Sequence, residues 1–306
     1  MRTRRLGTSD LEVSVVGLGC NNFGGRLELD RTQAVVEAAL EAGVTFFDTA
    51  DVYGNVGGSE RQLGELLEGR RDRVVLATKF GHPMGGESEL PRGSRDFLRR
   101  ALDASLERLR TDRIDLYYYH RPDGETPIAD TLASMQELVE EGRVRALGCS
   151  NVSAEQLAQA DAYARASGGP GFVAVQNEYS LLVRDAERDV LPRARELGVG
   201  FVPYFPLASG LLTGKYRRGR PAPPGARLQG RDERLTDETF ARVEALERFA
   251  AERGRTVLEL AIGALASTPG VASVIAGATT AEQVRANAAA AGWRLEEGGL
   301  AALAAV

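Results

Sequence analysis

Four polar residues stand where short apolar runs end. Asp48 closes the run Thr45–Asp48, and Tyr53 follows five positions later. Lys79 follows Val74–Thr78, and His120 follows Leu116-Tyr117-Tyr118-Tyr119. Together these groups form a proton-transfer set. A free phenol has a pKa of about 10 and is a poor acid near neutrality. A cationic lysine beside it stabilises tyrosinate and lowers that value, each unit being worth about 1.4 kcal/mol. A buried lysine would itself shed its proton unless a carboxylate held it, and Asp48 is available. A histidine can hydrogen-bond a carbonyl oxygen and help polarise it. The chemistry implied is proton transfer to or from the oxygen of a carbonyl or alcohol carbon. Each residue alone also has a plain structural role: Asp48 capping a loop, Tyr53 in a turn beside Gly54, Lys79 snorkelling from a strand end, His120 satisfied in a core. His82, three residues past Lys79 on a long loop, reads as a pocket or solvent residue.

For these groups to converge, their strand ends must lie side by side. The runs Val15–Leu18, Thr45–Asp48, Val74–Thr78, Asp115–Tyr119, Val144–Gly148, Val173–Asn177, Gly200–Tyr204 and Val271–Ala276 are short and nearly continuous. Such runs suit strands buried on both faces of a parallel sheet. Helical periods alternate with them. One opens at an Asp30 N-cap and closes at Gly43, and the next opens at Gly58-Ser59-Glu60. Ser94 to Arg110 carries Phe97, Leu98, Leu102, Leu106 and Leu109 at helical spacing. Others are Ile128–Glu140, Ser153–Ala166, Asp189–Leu197, Asp237–Arg253, Val257–Ala266 and Ala281–Ala290. Eight β-then-α units close a (β/α)8 TIM barrel, and Val15 to Ala290 fits its usual size of about 250 residues plus loops. The expected architecture is therefore α/β, one barrel domain over residues 1–306. Arg4–Leu6 and Val13–Val15, flanking Gly7-Thr8-Ser9-Asp10, predict an N-terminal β-hairpin capping the barrel bottom. An open doubly wound sheet would need G-x-G-x-x-G after its first strand, and Gly17-Leu18-Gly19-Cys20-Asn21-Asn22-Phe23 lacks the third glycine. Two long segments, Gly81–Gly93 and Pro206–Leu235, leave C-terminal strand ends, where barrel active sites are built.

An apolar fraction of 43% excludes a disordered or fibrous chain. A net charge of −5 leaves no global footprint for nucleic acid or anionic membrane. Cys20 and Cys149 cannot make a disulfide framework and have no zinc-site spacing; with two histidines only, no metal is expected. The default is a reduced, cytoplasmic chain, because the basic start is followed by Leu6-Gly7-Thr8-Ser9-Asp10 rather than an apolar region. Leu260 to Ala281 is uncharged and long enough to span a bilayer, yet Ser267-Thr268-Pro269-Gly270 in its middle reads as a turn between a buried helix and a strand. No large apolar stripe is left over, so a monomer is expected.

The whole chain resembles the aldo-keto reductases. The resemblance rests on Gly17-Leu18-Gly19, Phe47-Asp48-Thr49-Ala50-Asp51-Val52-Tyr53-Gly54, Ala77-Thr78-Lys79, Tyr119-His120-Arg121-Pro122, Gly148-Cys149-Ser150-Asn151, Gln176-Asn177, Tyr204-Phe205-Pro206-Leu207 and Gly277…Gln283…Asn287. It implies a barrel that binds NADP(H) without a Rossmann domain and reduces an aldehyde or ketone by direct hydride transfer. Tyr53 would be the acid in reduction and the base in oxidation, Lys79 with Asp48 would tune it, and His120 would orient the carbonyl oxygen. On the cofactor side the resemblance implies Cys20 and Asp48; Ser150, Asn151 and Gln176 for the carboxamide; and Tyr204, followed by Phe205, for the nicotinamide ring. Pro206, Leu207, Ser209 and Gly210 would wrap the pyrophosphate with Lys215, while Thr279 begins the last helix. Gly277, Gln283 and Asn287 fall on the adenosine side. Gly277–Gln283 holds one acid and no base, so Arg227 or Arg285 would have to supply charge for a 2′-phosphate; NADPH is expected, with NAD(H) use open. The substrate pocket would be walled by Phe23, Phe80, His82 and the two long loops, and the short tail Gly292–Val306 implies an open site. Three other functions stay open: a sugar or polyol dehydrogenase using the same groups in reverse, a channel-type regulatory β subunit binding NADPH, and an aldolase using Lys79 as a Schiff-base amine. The last leaves Ser150-Asn151 and Tyr204 unexplained.

Overall fold

In the computed structural model, residues 1–83 and 89–306 are described. The expected loop Gly81–Gly93 thus lies partly outside the described residues. An antiparallel hairpin comes first, β1 (Thr3–Arg5) and β2 (Glu12–Ser14), pairing Thr3 with Ser14 and Arg5 with Glu12. It turns through Gly7 at φ +55°, where a Cβ would lie 2.1 Å from the Val173 carbonyl oxygen; only glycine fits. Leu6, Leu11 and Val13 then plug the barrel interior against Phe46, Leu116, Tyr118 and Val202.

Eight parallel strands follow: β3 (Val16–Gly19), β4 (Phe46–Asp48), β5 (Val75–Phe80), β6 (Ile114–Tyr119), β7 (Val144–Ser150), β8 (Phe172–Gln176), β9 (Gly200–Phe201) and β10 (Val274–Gly277). They are neighbours in chain order, and β10 returns to pair with β3. A Phe201–Val271 bridge joins the remaining edges, with Phe201 N–H donating to Gly270 O and Ala272 N–H to Phe201 O. This is the (β/α)8 barrel with a hairpin cap that the sequence predicts.

The helices are α1 (Leu29–Glu41), α2 (Tyr53–Leu66), α3 (Arg95–Leu109), α4 (Ile128–Glu140), α5 (Ala154–Ser167), α6 (Val190–Glu196), α7 (Asp237–Ala251), α8 (Val257–Ser267), α9 (Ala281–Ala290) and α10 (Glu297–Leu303). Ser94 and Ser153 are the N-caps of α3 and α5, and the Ser153 hydroxyl accepts from Gln156 N–H. Several bounds differ from expectation: the hairpin strands lie one residue earlier, β9 ends at Phe201 rather than Tyr204, and β10 starts at Val274 rather than Val271. Glu28, extended at ψ 165°, precedes α1, and Asp30 sits within its first turn, where its charge faces the positive end of the helix. The tail is not merely short. It forms α10, and Leu295 and Leu303 pack into an apolar cluster with Leu212, Phe240 and Leu260. Leu260 to Ala281 resolves into α8, a turn and β10, and no helix among the described residues is long and apolar enough to cross a membrane.

Side-chain alternation sets what faces the interior. Phe46, Ala77, Leu116 and Tyr118 point inward, whereas Phe47, Leu76, Tyr117 and Tyr119 pack in the cluster between strands and helices. Asp48, Lys79 and His120 continue the inward phase of β4, β5 and β6. In register, Asp48 lies beside Ala77 and Lys79 beside Tyr118.

Candidate active site

The three inward strand ends meet at one buried centre. Lys79 is fully buried, with Nζ 2.5 Å from Asp48 Oδ1 and 2.8 Å from the Thr49 carbonyl oxygen. Gln176 Nε2 donates to Asp48 Oδ2 at 2.9 Å, so both carboxylate oxygens are occupied. Burial works to strip the Lys79 proton, but the Asp48 carboxylate and Tyr53 more than offset it and hold the ammonium above its ordinary value. The ammonium lies 5.1 Å from the Tyr53 ring centroid.

For Tyr53 the balance differs from expectation. Burial raises its phenol above the ordinary value by more than Lys79 draws it down. The physical reason is that Lys79 already shares its charge with Asp48, whose carboxylate also opposes a second anion nearby. Tyr53 is therefore held as a protonated phenol. His120 is held the opposite way. Burial, then Lys79, His82 and Arg121, push its imidazole well below the ordinary range, so it is neutral. Its ring stands edge-on to Tyr53 at 5.8 Å between centroids, and its backbone N–H donates to Phe80 O at 2.8 Å.

Tyr53 is followed by a turn that sequence reasoning could not foresee. Gly54, Asn55, Val56 and Gly57 all have positive φ, and regular helix begins at Gly58 as expected. A Cβ on Gly54 would come 2.3 Å from Phe23 O. Val56, β-branched in the left-handed region, costs on the order of 1–2 kcal/mol. Arg61 Nη1 reaches Val56 O at 3.1 Å, and Arg108 packs over Gly57 while bonding Glu60 Oε2 at 2.6 Å. Thr78 Oγ1 donates to the other Glu60 oxygen at 2.5 Å.

Asp51, also buried, stands beside this network, and neither of its oxygens pairs with a side chain among the described residues. Burial and then the Glu60 charge push its carboxyl up to about 8, with Arg108 opposing. The folded protein thus keeps a proton that the unfolded chain sheds above about pH 4. Stability tied to this proton is full below that pH and is lost as pH rises through about 8. An Asp51→Asn protein should match the wild type near pH 4 and become more stable than it at pH 9, by on the order of a few kcal/mol. Urea unfolding at the two pH values checks this; a gap that does not widen with pH contradicts it.

The residues that could hold a nucleotide fall into two groups. Ser150 ends β7, Gln176 ends β8, and Asn151 adopts φ 57°. Asn151 Nδ2 donates to His120 O (2.9 Å) and Ser150 Oγ (3.1 Å), while its Oδ1 accepts from the Tyr204 hydroxyl (2.8 Å). The Asn151 amide is thus engaged inside the protein, and it fixes Ser150 and Tyr204, leaving the Ser150 O–H able to donate outward. Phe205 has φ 51° and remains 39% exposed, with the Arg227 guanidinium 5.7 Å from its ring centroid. Pro206 is buried and Leu207 half-buried beneath the turn Ala208-Ser209-Gly210, all three at positive φ. Lys215 lies over Gly210, where a Cβ would meet Nζ at 2.6 Å.

Lys215, Arg227 and Arg26 form a cationic group that the sequence reading only half saw. Burial and then Arg26 lower the pKa of both Lys215 and Arg227. Arg227 is held by Asn22 Oδ1 at 2.9 Å and Asn21 Oδ1 at 3.4 Å. None of the three cations has an ion-pair partner among the described residues. Unbalanced positive charge beside a glycine turn fits a polyphosphate. Asn21, Asn22 and Arg26 were missed; the signal available was their position directly after the Gly17-Leu18-Gly19 strand end.

The remaining candidates are less open. Gly277 is exposed beside Asn21. Gln283 Oε1 accepts from Thr279 N–H at 2.8 Å, so it caps its own helix, and Asn287 is buried against β3 residues and Val284. The Cys20 thiol is buried and donates to Leu18 O, while its backbone N–H donates to Asp48 O at 2.9 Å; Cys20 braces β4 rather than presenting sulfur. Phe23 and Phe80 do not wall the site. Both are fully buried, and Phe80 stacks on Tyr117 (4.9 Å) and Tyr119 (5.2 Å). Phe80 is one residue out of phase with Lys79 and so faces the helices. His82 is at the mouth, half-buried, with its ring 4.9 Å from that of His120.

A sequence model described as the Aldo/keto reductase family matches residues 15–306. The chain is 37% identical over 298 residues to a probable voltage-gated potassium channel subunit beta of Oryza sativa subsp. japonica, covering 94% of this chain and 90% of the relative. It is 36% identical to an uncharacterised oxidoreductase, YrpG, of Bacillus subtilis (strain 168), covering 92% and 88%. It is 39% identical over 217 residues to a probable aldo-keto reductase 1 of Glycine max, covering 69% and 61%.

Proposed function

The chain belongs to the aldo/keto reductase family of oxidoreductases, and on that premise we propose that it reduces an aldehyde or ketone to an alcohol with NADP(H), Tyr53 giving the proton. The observation that carries this reading is the buried Lys79–Asp48 pair at 2.5 Å beneath a protonated Tyr53, with a neutral His120 edge-on to it. When bound, the nicotinamide supplies the hydride that adds to the carbonyl carbon. The Tyr53 hydroxyl donates its proton to the carbonyl oxygen. Lys79, its charge fixed by Asp48, stabilises the tyrosinate that remains. Neutral His120 donates a hydrogen bond that orients and polarises the same oxygen. Ser150, Gln176 and Tyr204 hold the nicotinamide end, and Lys215, Arg227 and Arg26 hold the phosphates. Tyr53, held as a phenol by burial, is in the form that can donate in reduction; alcohol oxidation would need tyrosinate and should rise with pH.

The cationic group bears on cofactor choice. Arg227→Ala should raise KM for NADPH roughly ten- to a hundred-fold, as expected for loss of charge-assisted hydrogen bonds, and KM for NADH by less. An equal rise for both would assign Arg227 to the pyrophosphate that the two cofactors share and remove this support for an NADPH preference.

The function as a whole is tested by following NADPH absorbance with 4-nitrobenzaldehyde. Consumption supports the reading. Tight NADPH binding by fluorescence without turnover of a panel of carbonyls would favour the second reading, a regulatory subunit, which the name of the rice relative suggests. No NADPH binding would overturn both.

A further inference from the structure

Tyr53 and Lys79 reach one point from different strand ends. Before Tyr53 the loop is tied to β5 by backbone, Asp51 N–H donating to Lys79 O at 3.1 Å. After Tyr53 come the four left-handed residues Gly54 to Gly57, and regular helix starts at Gly58. Asn55 and Val56 are not glycines, so that shape is imposed from outside the turn. Glu60, near the start of the helix, is fully buried, and its two carboxylate oxygens are bonded by two different elements. Thr78 Oγ1 on β5 donates to Oε1 at 2.5 Å, and Arg108 Nε on α3 donates to Oε2 at 2.6 Å. Thr78 directly precedes Lys79, and strand alternation turns it to the helices while Lys79 turns inward. The Arg108 stem also covers Gly57, where a Cβ would come 2.4 Å from Cδ. One residue before Glu60, the buried Ser59 hydroxyl donates to Cys20 O at 2.9 Å and lies 2.8 Å from Thr49 Oγ1. The Thr49 carbonyl is itself a partner of Lys79 Nζ.

Resting on the reductase reading above, we propose that Glu60 is a positioning residue for the proton transfer: bonded to Thr78 and Arg108, it locks the turn after Tyr53 to the strand that carries Lys79, and so sets the phenol against the ammonium. A buried ion pair is a poor device for stability alone, since apolar groups of similar volume often serve as well. What the carboxylate adds here is direction, because two short hydrogen bonds from two elements fix one place for the start of the helix. Glu60 acts through Tyr53 rather than on the substrate. A misplacement of about 1 Å at a reacting group costs on the order of a hundred-fold in rate, so the lock bears on turnover more than on binding.

The test measures kcat with NADPH and 4-nitrobenzaldehyde, the Kd for NADPH, and stability in urea. Thr78→Val removes the hydroxyl at nearly constant volume and should lower kcat roughly ten- to a hundred-fold, with the Kd for NADPH little changed. Thr78→Ser keeps the donor and should retain most of the rate. Glu60→Gln loosens the same lock from its other side and should lower kcat likewise. Leu138→Ala, a core change on α4 far along the chain from the lock, should lose stability yet keep its kcat. In a Tyr53→Phe background Thr78→Val should cost little more, because the hydroxyl being placed is gone. An unchanged kcat in Thr78→Val and Glu60→Gln, a loss that Thr78→Ser shares, an equal fall in Leu138→Ala, or the same loss with and without the Tyr53 hydroxyl overturns the proposal. Wild-type turnover that depends on Tyr53 would still uphold the reductase reading in each of those cases. No NADPH consumption by the wild type is instead a failure of that reading and takes this proposal with it.

Discussion

A Lys79→Met protein is expected to lose turnover by roughly 10²–10⁴-fold and to be destabilised by about 3–5 kcal/mol. The two effects have different origins. Turnover falls because the tyrosinate left after proton donation has no cation beneath it. Stability falls because Asp48, 2% exposed, is left with a buried negative charge facing only Gln176 Nε2. The double variant Asp48→Asn/Lys79→Met separates the origins. With both charges gone, most of the stability should return, because a buried pair replaced by neutral groups is often close to neutral in energy. Turnover should not return. Urea unfolding together with steady-state kinetics on the three proteins measures both, and recovery of activity in the double variant would falsify the role given to Lys79.

Tyr53→Phe should cost kcat roughly 10²–10⁴-fold while leaving the Kd for NADPH unchanged. The hydroxyl is the only atom removed, and the ring still fills its place against Lys79 and His120. Because burial holds the phenol above its ordinary value, wild-type reduction should stay flat to about pH 9, and alcohol oxidation should climb with pH. In Tyr53→Phe the climb should vanish. A pH profile that persists in the variant would show that another group gives the proton.

The meeting of Asp48, Lys79 and His120 at one point was legible because it follows from strand phase. Phe46 and Asp48, Ala77 and Lys79, and Leu116, Tyr118 and His120 are each two residues apart, so a barrel that buries the first members must aim the last ones at the same point. The hairpin cap was legible from the turn residues Gly7-Thr8-Ser9-Asp10 between Arg4–Leu6 and Val13–Val15, and helix starts from Ser94 and Ser153. The same period-two rule, applied to Phe80, would have turned it away from the mouth. Val56 was not legible, since a β-branched residue gives no local signal for a left-handed turn; that conformation is imposed by Arg61, Arg108 and the close approach of Gly54 to Phe23. Nor was the raised Asp51 carboxyl, which depends on its burial and on the charge of Glu60 on α2. The nucleotide-side residues came from the family resemblance, and physics adds the grouping of Arg26 with Lys215 and Arg227, which lie far apart in the chain.

The central claim is that hydride reaches a carbonyl carbon here while Tyr53 protonates its oxygen. The most direct measurement uses NADPH carrying deuterium in the transferable position at C4, with 4-nitrobenzaldehyde as acceptor, on the wild type and Tyr53→Phe. The account predicts one deuterium on the carbinol carbon of the wild-type product and a rate lower by at least roughly a hundred-fold in the variant. An alcohol product without deuterium, or equal rates in the two proteins, would contradict it.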